Sequence, residues 1–172
     1  MKKLLFLLCI IGITPIQLYS ADLAGILPVT DKILMLHFDE GHISYFGYKQ
    51  DRFSGNKLYY KLLDINQVYR IQNYKITSVD DPSYATIQYP STIGRKSKGA
   101  EFNNLYEPSE PKVLKDHFIY IELPKAMMTG KTYRVDVGNL ADNLNSFSFT
   151  FDEKKLRSET IHVTQTGFTP SS

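Results

Sequence analysis

The residues best suited to acid–base chemistry are two carboxylate pairs, Asp39-Glu40 and Asp80-Asp81. Glycosidic hydrolysis needs two carboxyls converging on one bond from about 5 to 10 Å apart. Side chains of adjacent strand residues point to opposite faces, so neither pair converges. Asp39-Glu40-Gly41 therefore reads as a tight turn, and Asp80-Asp81-Pro82 as an Asx-type turn. His37 and His42 flank the first turn at a spacing that lets them face each other across a hairpin, with Asp39 or Glu40 as further donors to a metal. A third ligand at motif spacing is missing, so they read as half-exposed strand histidines and no metal is assigned. Asp116-His117 offers two members of a hydrolytic triad, but no Gly-x-Ser-x-Gly turn presents a nucleophile.

Two further groups of residues point to binding. Gly94-Arg95-Lys96-Ser97-Lys98-Gly99 has glycines that would admit an anion to the backbone, but it lacks the spacing of a phosphate-binding loop and leads into no helix. Arg95, Lys96 and Lys98 read as a solvated basic loop, available to a neighbouring domain or an acidic polymer. The chain has 12 tyrosines and no tryptophan. Tyr45, Tyr48, Tyr59 and Tyr60 offer a platform on which sugar rings can stack, the alternative being core positions or cross-strand pairs. No cofactor motif is present, and no catalytic residue is assigned.

The elements that carry these residues follow a leader. Lys2 and Lys3 precede an apolar run, Leu4 to Ile13, which is broken by Thr14-Pro15 and followed by the small residues Ser20 and Ala21. This is the pattern of a signal peptide over residues 1–20, and it implies secretion to the periplasm or beyond. The run is far shorter than the roughly 20 residues that span a bilayer, so no membrane span is expected after cleavage. Cleavage would remove Cys9, the single cysteine, and take Lys2 and Lys3 from the 20 basic residues, leaving 18 against 18 acidic. A cysteine-free, near-neutral domain has no disulfides to stabilise it and no field of one sign to attract nucleic acid.

Beyond a leader or linker over 21–31, period-two alternation recurs in short runs divided by turn residues, and no amphipathic helical repeat is sustained. The expected strands cover 32–38, 42–48, 58–65, 67–78, 84–89, 117–123, 131–137 and 146–151. The first two form a hairpin, and 92–111 is the longest loop. Seven to eight strands over 32–154 predict an all-β, immunoglobulin-like two-sheet sandwich. Phe118, Tyr120, Tyr133, Val135, Phe147 and Phe149 point inward by their shared parity.

The run Arg157-Ser158-Glu159-Thr160-Ile161-His162-Val163-Thr164-Gln165-Thr166-Gly167-Phe168-Thr169-Pro170 resembles the opening strand of the immunoglobulin-like domain that precedes the catalytic barrel in glycoside hydrolase family nine cellulases. Thr164 stands where that pattern has Asn, and Phe168 where it has Tyr. Upstream, Asn73-Tyr74-Lys75-Ile76, Leu123-Pro124 and Gly130-Lys131-Thr132-Tyr133 resemble motifs of immunoglobulin-like modules in large secreted bacterial proteins. The resemblance implies that 155–172 is a linker and the first strand of a second such domain. It also implies that the preceding sandwich is a non-catalytic accessory unit, positioning or stabilising a downstream glycoside hydrolase of a polysaccharide-degrading protein. Its partners are then the downstream domains of the same polypeptide. The alternatives are a carbohydrate-binding module, with polysaccharide as partner, and an adhesion or surface-interaction domain.

Overall fold

The computed structural model describes residues 20–105 and 107–156. The expected leader up to residue 19 and the cellulase-like strand at 157–172 lie outside the described residues. The fold is an all-β sandwich of antiparallel sheets. Its strands are β1 (Asp22–Pro28), β2 (Ile33–Asp39), β3 (Gly41–Phe46), β4 (Gly55–Tyr60), β5 (Lys75–Ser78), β6 (Thr92–Phe102), β7 (Val113–Glu122), β8 (Thr132–Asp136) and β9 (Ser146–Thr150). One sheet has the order β1-β2-β7-β6 and another β5-β8-β9, while β3 and β4 form a separate two-stranded ribbon.

The two larger sheets meet across one apolar core. Leu34, Leu36 and Phe38 of β2 and Ile119 and Ile121 of β7 face Ile76 of β5 and Tyr133 and Val135 of β8, all fully buried. Alternation produces this because every second strand residue falls on the same face. Phe147 and Phe149 pack against the same core half-buried, but Phe118 and Tyr120 do not point inward. On β7 the inward set is His117, Ile119 and Ile121, opposite Phe38, Leu36 and Leu34. Burying the aliphatic residues at 119 and 121 puts the amphipathic residues of that strand on the outer face. Among the described residues no helix is long and apolar enough to cross a membrane.

Several elements differ from the sequence reading for identifiable reasons. Residues 21–31 are not a linker, since β1 pairs with β2 and contributes Leu23 and Ile26 to the core. A bulge between Leu23 and Gly25 shifts the register and hides the period-two signal. The hairpin expected from 32–38 and 42–48 does not form: β2 is hydrogen-bonded on both edges, by β1 and β7, so the chain leaves the sheet after Asp39 and β3 pairs with β4 instead. The segment expected as the long loop 92–111 begins with the longest strand, β6, an edge strand whose residues are nearly all exposed and therefore polar. Between β4 and β5 the chain forms a short helix, α1 (Ile65–Val68), capped by the Asp64 carboxylate, and a 3-10 turn, so the strand expected at 67–78 is reduced to β5. The expected strand 84–89 becomes the 3-10 turn Pro82–Tyr84 and a single bridge from Gln88 to Ile76.

Candidate functional site

The β3–β4 ribbon carries the four tyrosines singled out as a sugar platform, and its register sorts them. Tyr45 lies opposite Asn56 and Ile43 opposite Leu58, on the ribbon face that docks onto the domain. There the Ile43 N–H donates to Glu101 Oε2 at 2.5 Å, the Tyr45 hydroxyl donates to the Phe102 carbonyl at 2.6 Å, and Asn56 donates to Asn103. His42, opposite Tyr59, lies on the other, solvent-facing side together with Phe46. Their rings stack at 4.9 Å, and Lys57 Nζ sits 4.8 Å from the Tyr59 ring centre. Phe46 covers Gly55, where a Cβ would come within 2.4 Å of the ring.

At the tip, Gln50 and Asp51 both adopt left-handed φ, 52° and 59°, between bridged Lys49 and Arg52, the backbone of a two-residue hairpin turn. Tyr45 and Tyr48 gather there around Phe53, at 5.2 and 5.0 Å. The four tyrosines are thus divided: two cluster at the tip, Tyr59 lies on the outer face, and Tyr60 sits at the root opposite Gly41. They do not form one platform.

The root of the ribbon is fastened by a residue that the sequence presented as a turn carboxylate. Asp39 behaves as expected, accepting from the Gly41 N–H at 2.7 Å. Glu40 instead folds inward and is 5% exposed. Its carboxylate accepts from His117 Nε2 at 2.9 Å, from the Lys115 N–H at 3.0 Å and from the Leu63 N–H at 3.4 Å. Its backbone bonds Lys115 and Lys61, so one residue ties both ends of the ribbon to the four-stranded sheet. Gly41 makes the exit possible: its φ of 120° suits glycine, and a Cβ there would lie 2.0 Å from the Tyr59 carbonyl oxygen. Burial by itself pushes the Glu40 carboxyl upward, but the hydrogen bond and charge of His117, with the Leu63 and Lys115 N–H groups, outweigh it and hold the pKa below its ordinary value.

His117 is 2% exposed and continues the chain of contacts outward. Nε2 donates to Glu40 Oε1, and Nδ1 on the other side of the ring is hydrogen-bonded to Ser97 Oγ, 2.8 Å away. Arg95 donates to the same hydroxyl. A serine, a histidine and a carboxylate in this order have the composition of an acyl-transfer relay. Ser97 and His117 are direct cross-strand partners, however, so ladder register alone imposes their contact. The remaining bonds of Glu40 go to the main chain at the ribbon root, and the arrangement works as a fastening. In the sequence His117 stood out only beside Asp116 as a member of a triad, and the parity expected for its strand put it on the outer face; the structure places it on the core side with Ile119 and Ile121. Glu40 stood out in the sequence only as half of a turn carboxylate pair, with no sign of its burial against His117.

The basic residues lie on β6, which corrects their placement in a loop. Arg95 is opposite Ile119 on the core side, while Lys96 and Lys98 are opposite Phe118 and Asp116 on the outer side. Lys98 Nζ is 5.0 Å from the Phe118 ring centre, and His37 stacks on that ring at 4.7 Å while its Nε2 bonds Asp116 at 2.9 Å. His37 and His42 are therefore engaged in different sheets and do not face each other. Among the described residues no group of three His, Cys, Asp or Glu side chains is arranged to hold a metal. The Asp80-Asp81 turn forms as expected, with Asp81 accepting from the Ser83 N–H and hydroxyl at 2.9 and 2.7 Å, but Asp81 also accepts from the buried Tyr133 hydroxyl at 2.5 Å. No family model, curated protein or solved structure matches the chain.

Proposed function

We propose that this sandwich is a non-catalytic accessory domain that positions or stabilises a downstream glycoside hydrolase unit in a secreted polysaccharide-degrading protein, with the β3–β4 ribbon as its contact element. The observation that supports this reading is the solvent-facing side of the ribbon. Phe46 and Tyr59 are 57% and 46% exposed, beside His42 and Lys57, on a ribbon held firmly at its root by Glu40. Exposed aromatic side chains on a rigid support cost little entropy to bury and match the aromatic enrichment of protein interfaces. The likeness of 157–170 to a cellulase-type opening strand supplies the kind of neighbour.

The test is made on the polypeptide translated beyond Ser172. Phe46→Ser combined with Tyr59→Ser should lower the melting temperature of the hydrolase unit while leaving the unfolding of the sandwich nearly unchanged. Equal hydrolase stability in the variant and the parent, or a continuation with no hydrolase, refutes the proposal.

A further inference from the structure

A cleft of about 600 Å³ opens between the α1 region and the loop joining β8 to β9. Its size lies within the roughly 300 to 1,000 Å³ of small-ligand sites. Gln67, Gln72, Asn139 and Asn145 line it, and among the described residues none of these four carboxamides has an intramolecular hydrogen-bond partner. The walls are held by other groups. Asp64 caps α1, the Asn73 carboxamide donates to the Gln67 carbonyl at 2.8 Å, and Asp142 pairs with Lys61. The carboxamides are therefore left over from folding in a frame that is itself satisfied.

We infer that this cleft binds a neutral oligosaccharide segment, with the four carboxamides as hydroxyl-recognising groups. A carboxamide presents a donor and an acceptor in one plane, and a sugar hydroxyl both donates and accepts, so adjacent hydroxyls match it in a way that a purely cationic or anionic site does not. The charge supports a neutral ligand: one cation, Lys75, and one carboxylate, Asp64, line the cleft and balance in sign, and Asp142 is already paired with Lys61. An extended peptide is the weaker occupant, because peptide grooves offer apolar pockets for alternate side chains. Here the apolar lining residues Leu140 and Ala141 are themselves 2% and 5% exposed and offer little surface.

The inference deepens the accessory reading by naming a ligand class, and it draws on that reading only for polysaccharide as the source of the sugar. The experiment uses this chain alone, so its failure is separate from a failure of hydrolase stabilisation. Side-chain amide resonances are followed while cellotetraose, xylotetraose and mannotetraose are titrated to millimolar concentration. Saturable shifts of Gln72 and Asn139 are expected with at least one of them. Gln72→Ala and Asn139→Ala should each weaken binding about five-fold, the worth of one hydrogen bond, with unchanged melting temperature, because neither carboxamide is used by the fold. Tyr59→Ala should leave the affinity unchanged. Absence of shifts with all three sugars, shifts confined to the ribbon tyrosines, or equal displacement by an extended Gly-Ser peptide overturns the inference.

Discussion

Removing the Glu40 carboxylate should be among the most damaging single changes in this domain. Glu40→Ala deletes the acceptor for His117 Nε2 at 2.9 Å and for the Lys115 and Leu63 N–H groups at 3.0 and 3.4 Å. His117 is then buried without its partner, and each such orphaned donor costs about 1–3 kcal/mol. Counting the Leu63 contact as weak for its length, the loss is about 3–4 kcal/mol, within the roughly 3–5 kcal/mol seen when one member of a buried pair is removed. Urea denaturation followed by circular dichroism measures it, and Glu40→Gln, which keeps one carbonyl acceptor, should lose about half as much. A second readout comes from acid. The folded pKa of Glu40 lies below its ordinary value of 4.5, so the carboxylate contributes stability that is complete above that value and is lost as pH falls through the lower folded pKa. The difference between parent and Glu40→Gln stabilities should therefore shrink on acidification below that value. A loss under about 1 kcal/mol for Glu40→Ala, or a parent–variant difference that is flat with pH, would refute the account of Glu40 as the fastening of the ribbon.

Two further outcomes follow from the far end of the core. Tyr133→Phe removes the hydroxyl that donates to Asp81 at 2.5 Å and accepts from the Met128 N–H at 2.7 Å, and should cost about 2 kcal/mol by calorimetry; an unchanged melting temperature would show that neither bond is stabilising. In alkali, burial pushes Tyr84 up to about 12 and raises Tyr133 and Tyr74 further, so their stabilising effect is complete below the ordinary value of 10 and is lost as pH rises through the folded values. Absorbance titration at the tyrosinate band should show these three ionising only together with unfolding, and their early, reversible ionisation in the folded protein would contradict their burial.

The all-β class was legible because period-two alternation records which residues share a face, and burial on one side of a sheet enforces it along β8 as along β7 from His117 onward. The acidic turn at Asp80-Asp81-Pro82 was legible for a similarly local reason, since an Asx turn closes over three residues. Strand pairing was not, because a strand's sequence does not say which neighbour takes its edge. β2 and β3 adjoin in sequence but belong to different sheets, since β1 and β7 occupy both edges of β2. Exposure on an edge erased the apolar signal of β6 and made it look like a loop, and a bulge did the same to β1. The candidate sites divide along the same line. The types of Tyr45, Tyr48, Tyr59 and Tyr60 were plain, but only ribbon register separated the tip pair from the outer-face ring of Tyr59. Glu40 became a buried fastening because β7 brings His117 beside it from 77 residues away. The four carboxamides became a set because α1 and the β8–β9 loop meet. The sequence by itself determined the period, the turns and the supply of polar groups, all local properties. Partners, parity and burial at each site depend on contacts distant along the chain, and those only the tertiary structure decided.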